Sequence, residues 1–363
     1  MVPVPTGTQG GNPPPQSVYA FTNAMSVEIG RSSLSPSFKP FPLYRRAWVF
    51  QEQVLAPRTL TYARDRVSWR CQEAVFDERM PFVREVGVFV GEAKEGTTMR
   101  GRADPRVTEA SVAEIQRNWI FPPAGSGLAG EKARMDVFLK DWGRMVSEYT
   151  GRELTFQKDK LEAIRGVAEA LVKVGGGYFA GVWLRSEHSI VMGLVWSTSP
   201  GGGGKERLDV APSWSWASTK AMVIWPGHWL CGMEEKAVVV EVQTDGPRAG
   251  ELVLEAKLTV GQVAGVGFVV HEGEGRDATP CHRPIRATVS LEERLVDGTL
   301  AWFAKMVAGM SHVQGSKKEV HCLVLVENSD QATYRRVGYA VWKDSDWVHA
   351  QCPEAKMKRL RIV

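Results

Sequence analysis

The chain reads as an α+β protein: a helical N-terminal half followed by an antiparallel, β-rich C-terminal module. Two periodicities and one break in composition predict this. Apolar residues recur at helical spacing over 131–149 and again over 158–174, whereas over Glu251–Val260 they alternate with polar and charged residues. Between these regions lies Gly201–Gly204, a glycine run that lacks the lysine and hydroxyl positions of a phosphate-binding loop and so reads as a linker. The expected organisation is a leader at 1–42, a mainly helical unit at 43–200 with a loop or insertion at 91–130, and a β-rich module at 205–363.

Residues 1–42 hold eight of the twenty prolines, including Pro13-Pro14-Pro15, so this stretch favours polyproline II and has little to bury. It is expected to be a poorly ordered leader. Arg45–Leu55 then fits a helix with Trp48, Gln51, Glu52 and Leu55 on one face, at i, i+3, i+4 and i+7. An amide and a carboxylate share that stripe with a tryptophan and a leucine. Such groups need partners when buried, and Arg45, Arg46 and Arg58 are close in sequence to supply them.

Thr59–Tyr62 and Val67–Cys71 read as two strands of a hairpin turning at Ala63–Arg66. Within 91–130 only Ser111–Trp119 has the pattern of a short helix. Glu131–Tyr149 is a helix with Met135, Phe138, Leu139, Trp142, Met145, Val146 and Tyr149 facing the core. Lys158–Val174 is the next, with Leu161, Ile164, Ala168, Leu171 and Val172 on its apolar side and Gly175–Gly177 as its stop. Asp159 is placed to cap that helix. A third apolar element spans Ala180–Trp196. Trp214 and Trp216 alternate with serines after a proline, which predicts a strand burying both rings on one side. Val238–Val242, His321–Val326, Val337–Trp342 and Arg359–Val363 are further strands, completing a sandwich or barrel-like module.

Bulk properties bound the function. A hydrophobic content of 44% with 24% charged residues is ordinary for a soluble globular chain. A net charge of +4 with intermixed signs does not point to nucleic acid as a partner. No apolar run approaches the roughly 20 residues of a membrane span, and the N-terminus lacks the pattern of a secretory signal. Five scattered cysteines without Cys-x-x-Cys spacing fit free thiols in a reducing cytoplasm. Cys281-His282 and His321-Cys322 are the only pairs with metal-binding chemistry, and adjacent residues of a strand point to opposite faces, so no metal is expected. No cofactor is expected from the composition either.

Six segments appear in order over residues 43–218: Arg46-Ala47-Trp48 with Gln51-Glu52, Leu55 and Arg58; Trp69 and Cys71, with Glu73 or Glu78; Trp142, Val146, Tyr149-Thr150, Arg152 and Leu154-Thr155; Asp159-Lys160-Leu161 with Ala163-Ile164 and Gly166-Val167-Ala168; Tyr178, Ala180-Gly181 and Trp183, then Leu194 and Trp196; and Ala211–Ser218 with its two tryptophans. This series resembles the fungal heterokaryon-incompatibility (HET) domain family. The family's upstream Tyr-x-Trp-Gly and Trp-Ile-Asp-x-Leu-Cys-Ile-x-Gln segments have no counterpart before Leu43. The resemblance therefore implies an incomplete TIR-like α/β portion, in a truncated paralogue, a fragment or a gene model lacking its first exons. It also implies a cytoplasmic role in non-self recognition and regulated cell death, exerted by assembly with itself or with full-length relatives.

The resemblance further offers Glu52 as a catalytic carboxylate. TIR-like folds that cleave NAD use one glutamate near the nicotinamide ribose, where it stabilises developing positive charge. Arg45, Arg46, Trp48, Gln51 and Arg58 would then line the same site, and NAD would be its substrate. The alternative is structural: a buried Glu52–arginine pair bracing the helix against the hairpin, in a chain that is a non-functional remnant or an interaction module.

Overall fold

The computed structural model describes residues 42–62, 67–78, 80–85, 112, 115–120, 131–199, 206–225, 233–264, 267–272, 279–284, 287–311, 317–330, 332–343 and 357–363. The leader, the hairpin turn at 63–66, the glycine run at 201–204 and most of 91–130 lie outside the described residues. Within them the protein is α+β, with a large sheet in its C-terminal part.

The first helix, α1 (Ala47–Leu55), buries Ala47, Phe50 and Val54, a stripe at i, i+3 and i+7. Its start is pinned by backbone bonds to Glu153, which donates to Arg45 O at 2.6 Å and accepts from Ala47 N at 3.0 Å. Strands β1 (Arg58–Tyr62), β2 (Val67–Cys71), β3 (Ala74–Asp77) and β4 (Met80–Glu85) form an antiparallel meander, and the hairpin read from the sequence is its first pair. The parallel sheet of a TIR-like arrangement is not found among the described residues.

Helix α2 (Glu131–Thr150) buries the seven large residues that the 3.6-residue period selects. Helix α3 (Glu162–Gly175) starts four residues later than expected, because Gln157–Asp159 forms a separate 3-10 turn. Asp159 lies in that turn and does not cap α3, whose N-cap residue, Leu161, makes no side-chain bond. The glycine stop is as expected: Gly176 takes φ +76° and its N–H returns to Val172 O at 2.8 Å. The single apolar element read over Ala180–Trp196 is composite. It comprises the hairpin β5 (Tyr178–Phe179) and β6 (Val182–Trp183), then helix α4 (Glu187–Leu194), whose capping box joins Ser186 and Ser189.

Strand β7 (Ser197–Thr198) pairs with β8 (Val223–Ile224). Between them Trp214 and Trp216 are buried as expected, but in a turn and a 3-10 helix rather than a strand. The serines decide this. Ser215 Oγ accepts from Ala217 N at 3.0 Å, and Ser218 Oγ donates to Ser215 O at 2.7 Å, so local side-chain bonds replace a ladder.

The remaining strands are β9 (Glu234–Glu235), β10 (Val238–Val242), β11 (Leu252–Ala264), β12 (Gly267–Glu272), β13 (Thr279–Pro284), β14 (Ala287–Leu291), β15 (Leu300–Ser311), β16 (Lys317–Glu327), β17 (Tyr334–Lys343) and β18 (Met357–Ile362). Strand β11 changes partner midway. Leu252–Lys257 pair with β18 and Leu258–Gln262 with β15. Because β15, β16, β17 and β18 are also joined in sequence, the five strands close on themselves, the last junction being one parallel pair between Tyr334 and Ile362. One face of this ring (Leu254, Ala256, Ala304, Leu323, Tyr339, Leu360) belongs to the same core as α1, α2 and α3. The other face (Phe303, Val320, Cys322, Val324, Trp342) forms a second cluster against Val289 and Leu291 of β14.

Arg336 of β17 ties the two regions together at 0% exposure. Its Nε donates to Glu292 Oε1 at 2.8 Å, and its two terminal nitrogens donate at 2.5 Å to Leu194 O and Trp196 O, just where α4 ends. The guanidinium lies 3.4 Å from the centroid of the Trp196 ring. Burial pushes the Glu292 carboxyl up, and the Arg336 charge pulls it back. Arg336→Met should destabilise the fold by roughly 3–5 kcal/mol in a urea titration, because it strands a buried carboxylate and two carbonyls.

Candidate functional site

Of the residues singled out in α1, the structure leaves Trp48, 42% exposed, and Glu52 on the surface. Gln51 is half-buried, and the half-buried Leu55 packs against the core. The buried stripe is Ala47, Phe50 and Val54 because those side chains lose nothing on leaving water, whereas a carboxylate would. Glu52 makes no side-chain hydrogen bond or ion pair among the described residues. Arg45 pairs instead with Glu153 across an exposed surface, and Arg46 and Arg58 are exposed. A buried Glu52–arginine brace is therefore absent from the described structure.

Two residues not chosen from the sequence brace the helix against the hairpin. Arg70 of β2, 2% exposed, donates to Gln53 O at 2.7 Å, Thr59 Oγ1 at 2.8 Å and Gln116 Oε1 at 2.8 Å. Gln116 in turn donates from Nε2 to Val54 O at 2.8 Å and Ala56 O at 2.7 Å. Those carbonyls are the open acceptors at the end of α1. Ile115, Gln116 and Trp119 are buried, so this part of the region read as a surface loop is core. Trp119 Nε1 also donates to Asp141 Oδ2 at 2.7 Å. The tryptophan was visible in the sequence, but its buried partner 22 residues away was not.

The family-like segments meet one another. Gln51 Oε1 accepts from Gly166 N at 2.9 Å, joining α1 to α3 at a position where a side chain would collide with the Gln51 amide. Tyr149 OH donates to Lys160 O at 2.6 Å, and Lys160 Nζ donates to Thr219 O. The β5–β6 turn has Ala180 at φ +47° and Gly181 at φ +92°, the left-handed pair that a two-residue hairpin requires. Ser215 Oγ and Trp216 Nε1 donate to the carbonyls of those two residues at 2.6 and 2.9 Å. Trp142, Tyr178 and Trp183 stack edge-on or tilted within 5.6 Å of one another.

No family model, curated protein or solved structure matches the chain.

The chemistry of this junction is that of a structural lock around one unusual amine. Lys160 is 3% exposed, its nitrogen bonded to a carbonyl and 6.0 Å from the Trp216 ring centroid. Burial pulls its ammonium down to about 7. Burial also pushes the Tyr149 hydroxyl up, reinforced by the Asp159 charge. No group of histidine, cysteine and carboxylate side chains suited to a metal occurs among the described residues. The side chains of Cys281 and His282 lie outside them. His321 bonds Tyr339 on the face shared with the helices, while Cys322 belongs to the second cluster. A cavity of about 320 Å³ at the end of the ring is lined by Thr299, Leu300, Trp302, Val326, Glu327, Asn328 and Ser329. None of the residues selected from the sequence borders it.

Two outcomes follow for this junction. Gly181→Ala places a Cβ 2.3 Å from Trp216 Nε1 at a positive φ. It should cost about 3 kcal/mol in chemical denaturation, through overpacking plus left-handed strain. Lys160 binds a proton more weakly in the folded chain, so from about pH 7 to about 10.5 the unfolded chain holds the extra proton. Stability attributable to Lys160 should thus rise with pH across that window, by roughly 1.4 kcal/mol per pH unit at most, and be lowest below it. Lys160→Met should abolish that rise in melting curves recorded against pH.

Proposed function

We propose that this chain is a heterokaryon-incompatibility-type protein of fungal non-self recognition, acting in the cytoplasm and feeding regulated cell death. Its partners on this reading are copies of itself or full-length relatives of the same family, and its action is assembly rather than turnover of a cofactor. One observation carries the reading: five of the six family-like segments over residues 43–218 touch one another. Gln51 meets Gly166, Tyr149 meets Lys160 and Trp216, and Ala180-Gly181 meet Ser215-Trp216. Segments that pack into one core are compatible with a common domain.

The same geometry divides the motif residues by role. Gln51, Gly166, Tyr149, Lys160, Gly181 and Trp216 hold the fold. Trp48 and Glu52, from the same helix, are left on the surface where a partner can reach them. No described helix is long and apolar enough to cross a membrane.

Expression of the chain in a fungal host should cause growth arrest or death. Trp48→Ala and Glu52→Ala should remove that effect while changing stability by no more than about 0.5 kcal/mol, as expected for exposed positions. A well-expressed, folded chain without any such effect would sink the proposal. Incubation of the purified chain with NAD separates the enzymatic reading: nicotinamide release no faster than from Glu52→Ala is the expected result.

A further inference from the structure

We infer that His188 is a proton-dependent clamp holding the β9–β10 edge of the β-rich module against helices α2 and α4. Its ring sits between two carboxylates on different elements. Nε2 lies 2.7 Å from Asp136 Oδ1 of α2, and Nδ1 contacts Glu235 Oε1 of β9. The His188 side chain is 14% exposed, and those of Asp136 and Glu235 are 20% and 28% exposed.

Counting protons gives the consequence. Ionised carboxylates only accept, and a neutral imidazole has one N–H and one lone pair. Two hydrogen bonds among these three groups therefore need two protons. The doubly protonated ring satisfies both carboxylates. Once one proton leaves, a lone pair faces a carboxylate, and one of the two contacts must open.

One further charge reaches the clamp: Lys132 of α2 pairs with Glu235 at 4.0 Å, whereas Glu131 is paired with Arg185. On β9, Glu234 is paired with Lys236. On α4, Glu187 is committed to the β10 backbone, where it accepts from Val239 N at 3.0 Å. β9 itself is two residues long and pairs with β15 through Val307 and Ala308. Around it Met233, Ala237, Val239 and Val242 join the core shared with α2, and the Lys236 and Ala237 amides bond Met306 O. Strand β10 exposes Val238 and Val240, and the clamp adds charged contacts to this packed seam. Deprotonation of the clamp loosens the seam between the helical region and that apolar edge.

Hydrogen exchange of the Val239 amide in the full chain, corrected for its intrinsic pH dependence, reads the seam directly. As pH rises through the roughly 5–8 range in which imidazoles in general change charge, its protection should fall about tenfold, the effect of one charge-assisted bond. Asp136→Asn supplies the decisive contrast. The asparagine amide donates to a ring lone pair, so a neutral ring keeps both contacts and protection should stay constant. Protection that does not change with pH in the native chain, or that falls equally in Asp136→Asn, overturns the clamp. A Glu235→Gln chain, in which the amide faces Nδ1, should behave like Asp136→Asn and guards against a folding defect in either variant.

Discussion

The structure depends on how a helical region and a closed strand ring come to share one interior, and Arg336 is the residue through which they do so. A guanidinium with no exposure must be fully bonded. Its donors are met by Glu292 and by the Leu194 and Trp196 carbonyls at the end of α4. These acceptors come from two separate stretches of chain, both remote from Arg336, so the bonds form only when all three segments are in place. A helix C-terminus is also where positive charge is favoured. The ring face carrying Leu323 and Tyr339 then continues into the core built by α1, α2 and α3.

The motif residues are largely consumed by a second set of such couplings. Each uses a polar atom that could not stay buried without a partner: the Gln51 amide, the Lys160 amine, the indole nitrogens of Trp196, Trp214 and Trp216. Several end on backbone carbonyls of turns, which lack ladder partners of their own. The indoles of Trp196, Trp214 and Trp216 thus reach backbone carbonyls, whereas the Trp142 and Trp183 nitrogens are buried without a partner and those rings contribute apolar bulk alone. What remains on the surface is a small set, Trp48 and Glu52 among it, and the proposed role in assembly rests on that set.

Periodicity was legible in α2, whose seven inward residues follow from local spacing. It was legible too in the readings Val238–Val242, Glu251–Val260, His321–Val326 and Val337–Trp342, each of which falls on a longer or equal strand, whereas the central strand β15 was not read. The orientation of α1 was not legible, since rotating nine residues by one position exchanges two equally regular stripes. The choice rests on Phe50 finding Tyr149 and Arg152, more than ninety residues away. Arg70, Gln116, His188 and Arg336 escaped notice for a related reason. A lone polar residue in an apolar or mixed run looks like a solvated one until its partners, all remote in sequence, are brought to it.

The sequence by itself determined the α+β class, the long helix α2, the first hairpin, several strands of the C-terminal sheet and the glycine stop after α3, because these depend on neighbours within a few residues. Only the tertiary structure decided which stripe of α1 is buried, that β11 changes partners to close the ring, and that Arg70 and Gln116 rather than Glu52 brace the first helix. The physical reason is the same in each case. Burial of a polar group is permitted or forbidden by acceptors and donors that arrive from distant parts of the chain, and no local spacing records where those will be.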